Sequence, residues 1–435
     1  MIITGLSHGF HDAAAARISD SGTIYHAVHS ERYSKVKFDK NLHDYDTIGK
    51  TVFYERPFAK NIRRLYAGQS WKPRPKYDAY IDHHWSHAAA AYYTRPWPEE
   101  PVCVVVDAIG EWDTCSIWYK KKKVWSTRYP KSLGLFYSAV TKAVGLKPGH
   151  DEYILMGMAA YGTPTYDLNP WGHYHKGYPR SFISAEDAAA SAQWHIETEL
   201  LDIMREARNY SNYLCYGGGV ALNCVANSLI HPLFKKMWIF PNPGDAGSSL
   251  GAAAAYIDKK LDYKDPYLGY DIKRKINVND VVKYLLKHSI CGIANGRAEF
   301  GPRALGNRSL IADPRCDIKD TVNSIKKRQK FRPFAPAILD EFASDYFEGP
   351  MNEYMQFVAK AKHDYKSVTH VDGSARVQVV KKDCKSIIRP LLEEWYDQTG
   401  CPMLLNTSLN IKGQPMVNDE KDAAMFEKMY KVKVF

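Results

Sequence analysis

The chain has 435 residues, 45% of them apolar and 25% charged, a globular composition long enough for two or three domains with sizeable cores. Its formal net charge of +11 favours anionic partners: nucleotides, phosphorylated substrates or nucleic acid. No apolar run approaches the ~20 residues that span a bilayer, no signal-peptide pattern opens the chain, and eight scattered cysteines without C-x-x-C predict a reduced, cytoplasmic protein with no membrane partner.

In chain order, Met1–Gly5 reads as a short buried strand, followed by a polar turn (Ser7–Asp12), a strand (Ala13–Ile18), a turn (Ser19–Gly22) and a third strand, Thr23–His29. Lys60–Lys76 is basic and contains proline, which predicts a loop or irregular excursion. An alanine-rich helix is expected from Asp82 to Tyr92, with His83, His84 and His87 near its start. The opening order then recurs as strand Val102–Val106, turn Asp107–Asp113, strand Thr114–Tyr119, turn Lys120–Lys123 and strand Val124–Tyr129. Two such copies about a hundred residues apart suggest duplicated α/β halves, the plan of actin-like ATPases and sugar kinases.

Further on, Ser184–Arg208 has a helical rhythm, opened by Ser184 with Asp187 three residues later. A strand, Tyr213–Tyr216, feeds Gly217-Gly218-Gly219 and a helix over Val220–Ile230. Such glycines let main-chain N–H groups approach a phosphate or ribose, although a tight structural turn reads equally well. Asn242–Gly247 is a second glycine loop, leading into the small-residue helix Ser248–Ile257. Composition changes over Asp262–Asn277, which sets a domain boundary at Gly269 and two domains, 1–268 and 269–435. A helix, Val278–His288, and a strand, Ile290–Ala294, follow.

His83 and His87 stand four residues apart, so one helix face can aim both imidazoles at one point, half of a divalent metal site. Asp107 ends an apolar strand and Asp245 sits in a glycine loop; each alone is equally well read as a turn former. Together with the histidines they make a two-nitrogen, two-oxygen set suited to Fe(II), Mn(II) or Zn(II). Gly296–Ser309 interleaves Arg297, Arg303 and Arg308 with three glycines; Arg315 and the cluster Lys326–Phe334 follow. Guanidinium forks bind phosphate and carboxylate bidentately, though a solvated basic surface or a nucleic-acid groove also fits. There is no Walker-A sequence and no serine or cysteine nucleophile motif.

Asp82-His83-His84-x-x-His87-Ala88 together with Val106–Glu111 resembles the O-carbamoyltransferases of the nodulation-protein-U and tobramycin-carbamoyltransferase type. Further matches, in family order, are Ser132–Tyr137, Gly157–Gly162, Gly217–Asn223, Pro243–Gly251, Gly296–Pro314, Phe331–Pro336 and Leu405–Asn410. The block Glu299–Gly306 is the most specific of them. The resemblance implies an α/β protein with a duplicated actin-like N-terminal domain, akin to the catalytic subunit of tRNA threonylcarbamoyl transferase, and a C-terminal YrdC-like α/β domain. It implies that carbamoyl phosphate and ATP with Mg(II) give carbamoyl-adenylate in the second domain. The first domain, holding Fe(II) or another divalent metal, would then pass the carbamoyl group to an acceptor hydroxyl.

Carried over position by position, His83, His87, Asp107 and Asp245 are the implied metal ligands. Gly218, Gly219 and Asn223 would hold the adenylate near them, and Arg303, Arg308, Arg315, Arg328, Arg332, Asn406, Thr407 and Ser408 would line the adenylate-forming site. His11, paired with Asp12, would position or deprotonate the hydroxyl. Lys131 and Ile154 depart from the family's histidine and lysine, and the chain is shorter than typical members, which leaves the acceptor open. A small polyol fits the family; a nucleotide or a hydroxylated base in nucleic acid fits the charge, and the assembly could be a homodimer. The rival reading is a threonylcarbamoyl-transferase-like or nucleic-acid-binding protein with an actin-like core.

Overall fold

Val102–Val106 is buried at every position, and a strand buried on both faces belongs at the centre of a sheet. In the computed structural model it lies there, as β6 of the order β10-β9-β6-β7-β8: β7 is Asp113–Tyr119, β8 Lys122–Arg128, β9 Tyr213–Gly217 and β10 Lys236–Ile239. The first 80 residues build a second sheet, β3-β2-β1-β4-β5, from β1 (Ile2–Ser7), β2 (Ala14–Ser19), β3 (Ile24–His29), β4 (Lys50–Phe53) and β5 (Ala79–Tyr80). In each sheet the first three strands form an antiparallel meander, and the fourth and fifth run parallel to the first. The two halves thus share one topology, 3-2-1-4-5, and the duplicated actin-like arrangement follows from their pairing.

The structure describes residues 1–43, 45, 47–179 and 181–435, which divide into two compact units. One unit comprises Met1–Ser30 with Lys40–Tyr263; the other comprises Glu31–Asp39 with Lys264–Phe435. The second unit centres on a five-stranded sheet in the order Ile290–Ala294, Arg308–Ala312, Met403–Ser408, Ala335–Leu339, Gln378–Val380. Its core includes Leu310, Ile311, Ile338, Leu404 and the fully buried Trp395. Arg32, from the short segment near the N-terminus, is buried in this unit and donates to the Val417 carbonyl at 3.1 Å.

Local chemistry explains most helix starts. Asp82, Ser132 and Ser184 each cap a helix by accepting from a main-chain N–H three residues on. Two segments differ from the sequence reading. Lys60–Lys76 is irregular only in its second half, because Pro57 at the first helical position opens a helix through Tyr66. The segment after Gly219 is a 3-10 turn to Leu222 that breaks at Asn223, whose side chain caps a new helix, Cys224–Ile230. Among the described residues no helix is long and apolar enough to cross a membrane, and the eight cysteines are free.

Candidate metal and transfer site

The duplication decides where the functional side chains meet. The turn after the first strand of each half carries His11 and Asp12 in one case and Asp107 in the other. After the fifth strand of each half comes a helix: His83–Tyr92 carries three histidines, of which His83 and His87 share a face, and Asp245 lies three residues before Ser248–Ile257. These two helices pack with no room to spare, since a Cβ added at Gly251 would lie 1.8 Å from the Ser86 carbonyl oxygen. That close approach sets Asp245 against the histidine face.

His83, His87, Asp107 and Asp245 are all buried, and one ligand atom from each lies within 4.8 Å of the others. The two Nε2 atoms are 3.1 Å apart; Asp107 Oδ2 is 3.2 Å from His83 Nε2, and Asp245 Oδ1 is 3.2 Å from His87 Nε2. His87 Nδ1–H donates to the Pro243 carbonyl at 3.0 Å, which turns Nε2 toward the other three groups. Two imidazole nitrogens aimed at each other between two carboxylates can share a cation, and this donor set could hold a divalent transition metal. With protons alone in the cluster, burial opposes charge on His83, but its bond to Asp107 and the charges of Asp245, Asp107 and Glu55 raise it to about 9. Burial likewise opposes charge on Asp107, yet the His83 bond and the nearby imidazoles hold it far below the usual carboxylate range.

His84 turns the other way. Its Nδ1 meets Ser116 Oγ at 2.7 Å, and burial followed by the charge of His83 pushes it down to about 4, so it stays neutral. Glu55 is a member of the site that the sequence reading missed: its Oε2 is 3.9 Å from His83 Nδ1, an atom with no hydrogen-bond partner among the described residues. Lys60 anchors both Glu55 oxygens, at 2.7 and 2.8 Å. The missed signal was β4, a four-residue strand that ends two positions before Glu55.

Of the glycine triplet, Gly218 has φ +91° and a Cβ there would meet the Val106 carbonyl at 2.2 Å, so only glycine fits. Gly219 N–H donates to Asp107 Oδ1 at 3.1 Å, tying the loop to the cluster. Asn223 spends its amide on capping Ala226 and on reciprocal 3.1 Å bonds with Gln193. His11, half-buried, pairs through Nδ1 with Asp12 Oδ2 at 3.1 Å. It feels the charges of Asp245 and Asp107.

In the second unit, Arg303, Arg328 and Arg332 are partly exposed. Arg328 donates to Asn323 Oδ1 at 2.6 Å and lies 4.0 Å from the Phe334 ring centre. Lys326 is buried, and its ammonium donates to Ser408 Oγ at 3.2 Å and to Asn410 Oδ1 at 3.0 Å. Burial first, then Arg328 and Arg332, push its pKa well below the lysine range. Lys326, Arg328, Arg332 and Ser408 are therefore neighbours, with Thr407 partly exposed beside Ser408. Asn406 is buried, its amide bonded to the Ala304 carbonyl and to Gln378. Arg315 grips Asp313 at 2.8–2.9 Å and stacks 4.8 Å from the Trp395 ring centre, so its charge is already paired.

Arg308 corrects the sequence expectation. It is fully buried, and its guanidinium donates to the carbonyls of Tyr270, Asn295, Gly296, Asn307 and Asn418. It is a clamp on the main chain with no donor turned to a ligand, because five carbonyls surround it where a phosphate was expected.

Residues 55–170 and 171–254 match the family model described as carbamoyltransferase N-terminus, and residues 282–435 match carbamoyltransferase C-terminus. The chain is similar to an uncharacterised protein of Synechocystis sp., 31% identical over 97% of this chain and 93% of that one. That alignment spans 578 positions, so the relative carries segments this chain lacks. It is also similar to nodulation protein NolO of Bradyrhizobium diazoefficiens (31%, covering 79% and 75%) and nodulation protein U of Azorhizobium caulinodans (30%, covering 70% and 55%). Among solved structures, the activator of the 2-hydroxyisocaproyl-CoA dehydratase from Clostridium difficile aligns over 59% of this chain and 95% of its own, at 13% identity and a TM-score of 0.37. A ROK hexokinase from Thermus thermophilus aligns over 59% and 99%, at 12% identity and 0.33.

Proposed function

The chain belongs to the carbamoyltransferase family, and from that premise we propose that it is an ATP-dependent O-carbamoyltransferase working in two steps. In the first, water releases carbamate and phosphate from carbamoyl phosphate. The carbamate oxygen then attacks the α-phosphorus of ATP, and pyrophosphate leaves with Mg(II). Lys326, Arg328, Arg332 and Ser408 would offset phosphate charge during this exchange. A bound phosphate would also favour the charged form of Lys326, which burial disfavours.

In the second step, the acceptor hydroxyl gives its proton to His11 Nε2, its oxygen bonds to the carbamoyl carbon, and the bond from that carbon to AMP breaks. Asp12 holds the His11 ring through Nδ1. Gly218 and Gly219 let the main chain approach the adenylate. His83, His87, Asp107 and Asp245 would hold the divalent metal, with Fe(II) the expected ion. When bound, it supplies Lewis-acid polarisation of the carbamoyl carbonyl and a counter-charge for the oxyanion. AMP is a good leaving group, so no covalent enzyme intermediate is needed.

The observation that carries this reading is the buried two-histidine, two-aspartate cluster beside the His11–Asp12 turn. The direct test is pyrophosphate release by purified enzyme. Release that requires ATP and carbamoyl phosphate together is the expected result; release with ATP alone, or none at all, overturns it. Candidate acceptors incubated with both compounds should then gain the mass of one carbamoyl group.

A further inference from the structure

The helix Pro57–Tyr66 turns the wrong face outward. Phe58, Ile62 and Tyr66 recur four residues apart and are 62%, 42% and 67% exposed, while Asn61 and Arg63 of the same helix are buried. An isolated surface helix does the reverse. Trp71 follows, 49% exposed, its ring centre 6.0 Å from that of Phe58. The segment is fastened in place: Asn61 exchanges two hydrogen bonds with the Lys72 main chain, at 2.8 and 3.0 Å, and Arg64 Nε donates to the Ser70 carbonyl at 2.9 Å.

Cations border these rings. Lys72, Arg74 and Lys76 are exposed, and Arg64 is partly so. Burial, then the charges of Arg64, Lys60 and Lys40, lower the Lys72 pKa, so positive charge is concentrated here. The surface also runs into the transfer site. Tyr77 stacks on Phe53, with centres 5.3 Å apart, and its hydroxyl meets His8 Nε2 at 2.7 Å. His8 opens the turn that carries His11, and Phe10, 53% exposed, lies with its ring centre 4.7 Å from that of His11.

We propose that this face docks the acceptor and that the acceptor is a single-stranded polynucleotide. Bases stack on Phe58, Tyr66 and Trp71, phosphates meet Arg64, Lys72 and Arg74, and the strand leads a hydroxyl-bearing nucleotide past Tyr77 to His11. Stacking rings interleaved with cations are what sequence-tolerant single-strand binding requires. A neutral polyol would use neither the cations nor so many rings. This docking rests on the transfer reading above, with the nucleotide's hydroxyl oxygen as the attacking atom.

The test is fluorescence anisotropy of the full chain with fluorescein-labelled oligonucleotides of about 20 nucleotides, DNA in one arm and RNA in another. Affinity is expected to fall steeply between about 50 and 200 mM salt. Trp71→Ala with Phe58→Ala should weaken binding by about 10-fold or more through lost stacking. Lys72→Glu with Arg74→Glu should weaken it and flatten the salt dependence, with circular dichroism checking that both variants fold. Binding in either arm that follows this pattern supports the proposal, and the arm decides the sugar. No binding by the wild-type chain, variants that bind as tightly as wild type, or attachment to anionic phospholipid vesicles without oligonucleotide binding overturns it. Pyrophosphate release is scored separately on the wild-type chain. Its loss removes the transfer chemistry and leaves oligonucleotide binding standing, whereas the reverse result removes the docking alone.

Discussion

The base assigned to the acceptor step is held in its protonated form by its neighbours. Burial disfavours charge on His11, but the hydrogen bond to Asp12 and the charges of Asp245, Asp12 and Asp107 outweigh burial and raise its pKa to about 9. A raised pKa means that the neutral, proton-accepting ring gains population as pH climbs toward that value, so transfer should rise with pH. An ion on Asp107 and Asp245 offsets their charge, leaving Asp12 as the main cause. Asp12→Asn removes that charge, lowers the His11 pKa, and should move the rising limb of the kcat/KM profile to lower pH. A limb that stays in place would separate His11 from the base role. Arg308 makes the opposite kind of prediction, one about stability. Truncating it leaves main-chain oxygens unpaired around a cavity, so Arg308→Ala should cost ~3–5 kcal/mol in urea unfolding of the second unit. A loss below ~1 kcal/mol would show that water replaces the guanidinium without strain.

At the scale of elements, the histidine–aspartate cluster proposed to hold the metal depends on two helices that touch through a glycine. Gly251→Ala would ordinarily favour a helix by about 1 kcal/mol, because glycine is the poorer helix former. Here the added Cβ would lie 1.8 Å from the Ser86 carbonyl oxygen and 2.9 Å from the Ala90 nitrogen, both main chain, so the helices must separate. That shift carries Asp245 away from His87. The expected outcome is lower metal content by elemental analysis, with all four ligands still present, and a lower melting temperature; normal metal loading would rule this packing argument out. The clustered positions were legible in the sequence because spacing carries them: His83 and His87 fall on one helix face, and Asp107 ends an uninterrupted apolar strand. Glu55 was not legible, since it follows a strand of only four residues with no alternating pattern. The helix Pro57–Tyr66 was missed although Phe58, Ile62 and Tyr66 recur four residues apart, because the basic, proline-containing stretch Lys60–Lys76 reads as one loop and its first half belongs to this helix. Arg308 was misread because a guanidinium in a glycine-rich stretch suits a phosphate or a ring of carbonyls equally well, and only the fold chooses.

At the scale of the whole molecule, the repeated strand order was visible as two meanders, but the fourth and fifth strands of the first half, β4 and β5, are too short to announce themselves. Their positions matter because they make the halves equivalent, and equivalence brings four separate stretches of chain to one point. The proposed reaction divides between the two units, which makes its steps separable. A His83→Ala, His87→Ala double variant changes only residues of the first unit and removes two of the four proposed metal donors. If the carbamoyl-adenylate forms in the second unit, this variant should still release pyrophosphate while forming little carbamoylated acceptor. Its ratio of pyrophosphate to product should then rise well above the value near one expected of wild type, since unused adenylate is lost to water. Measuring both products in one reaction decides the matter. Parallel loss of pyrophosphate and product would mean that the cluster takes part in activation as well, and the division of labour between the units would have to be abandoned.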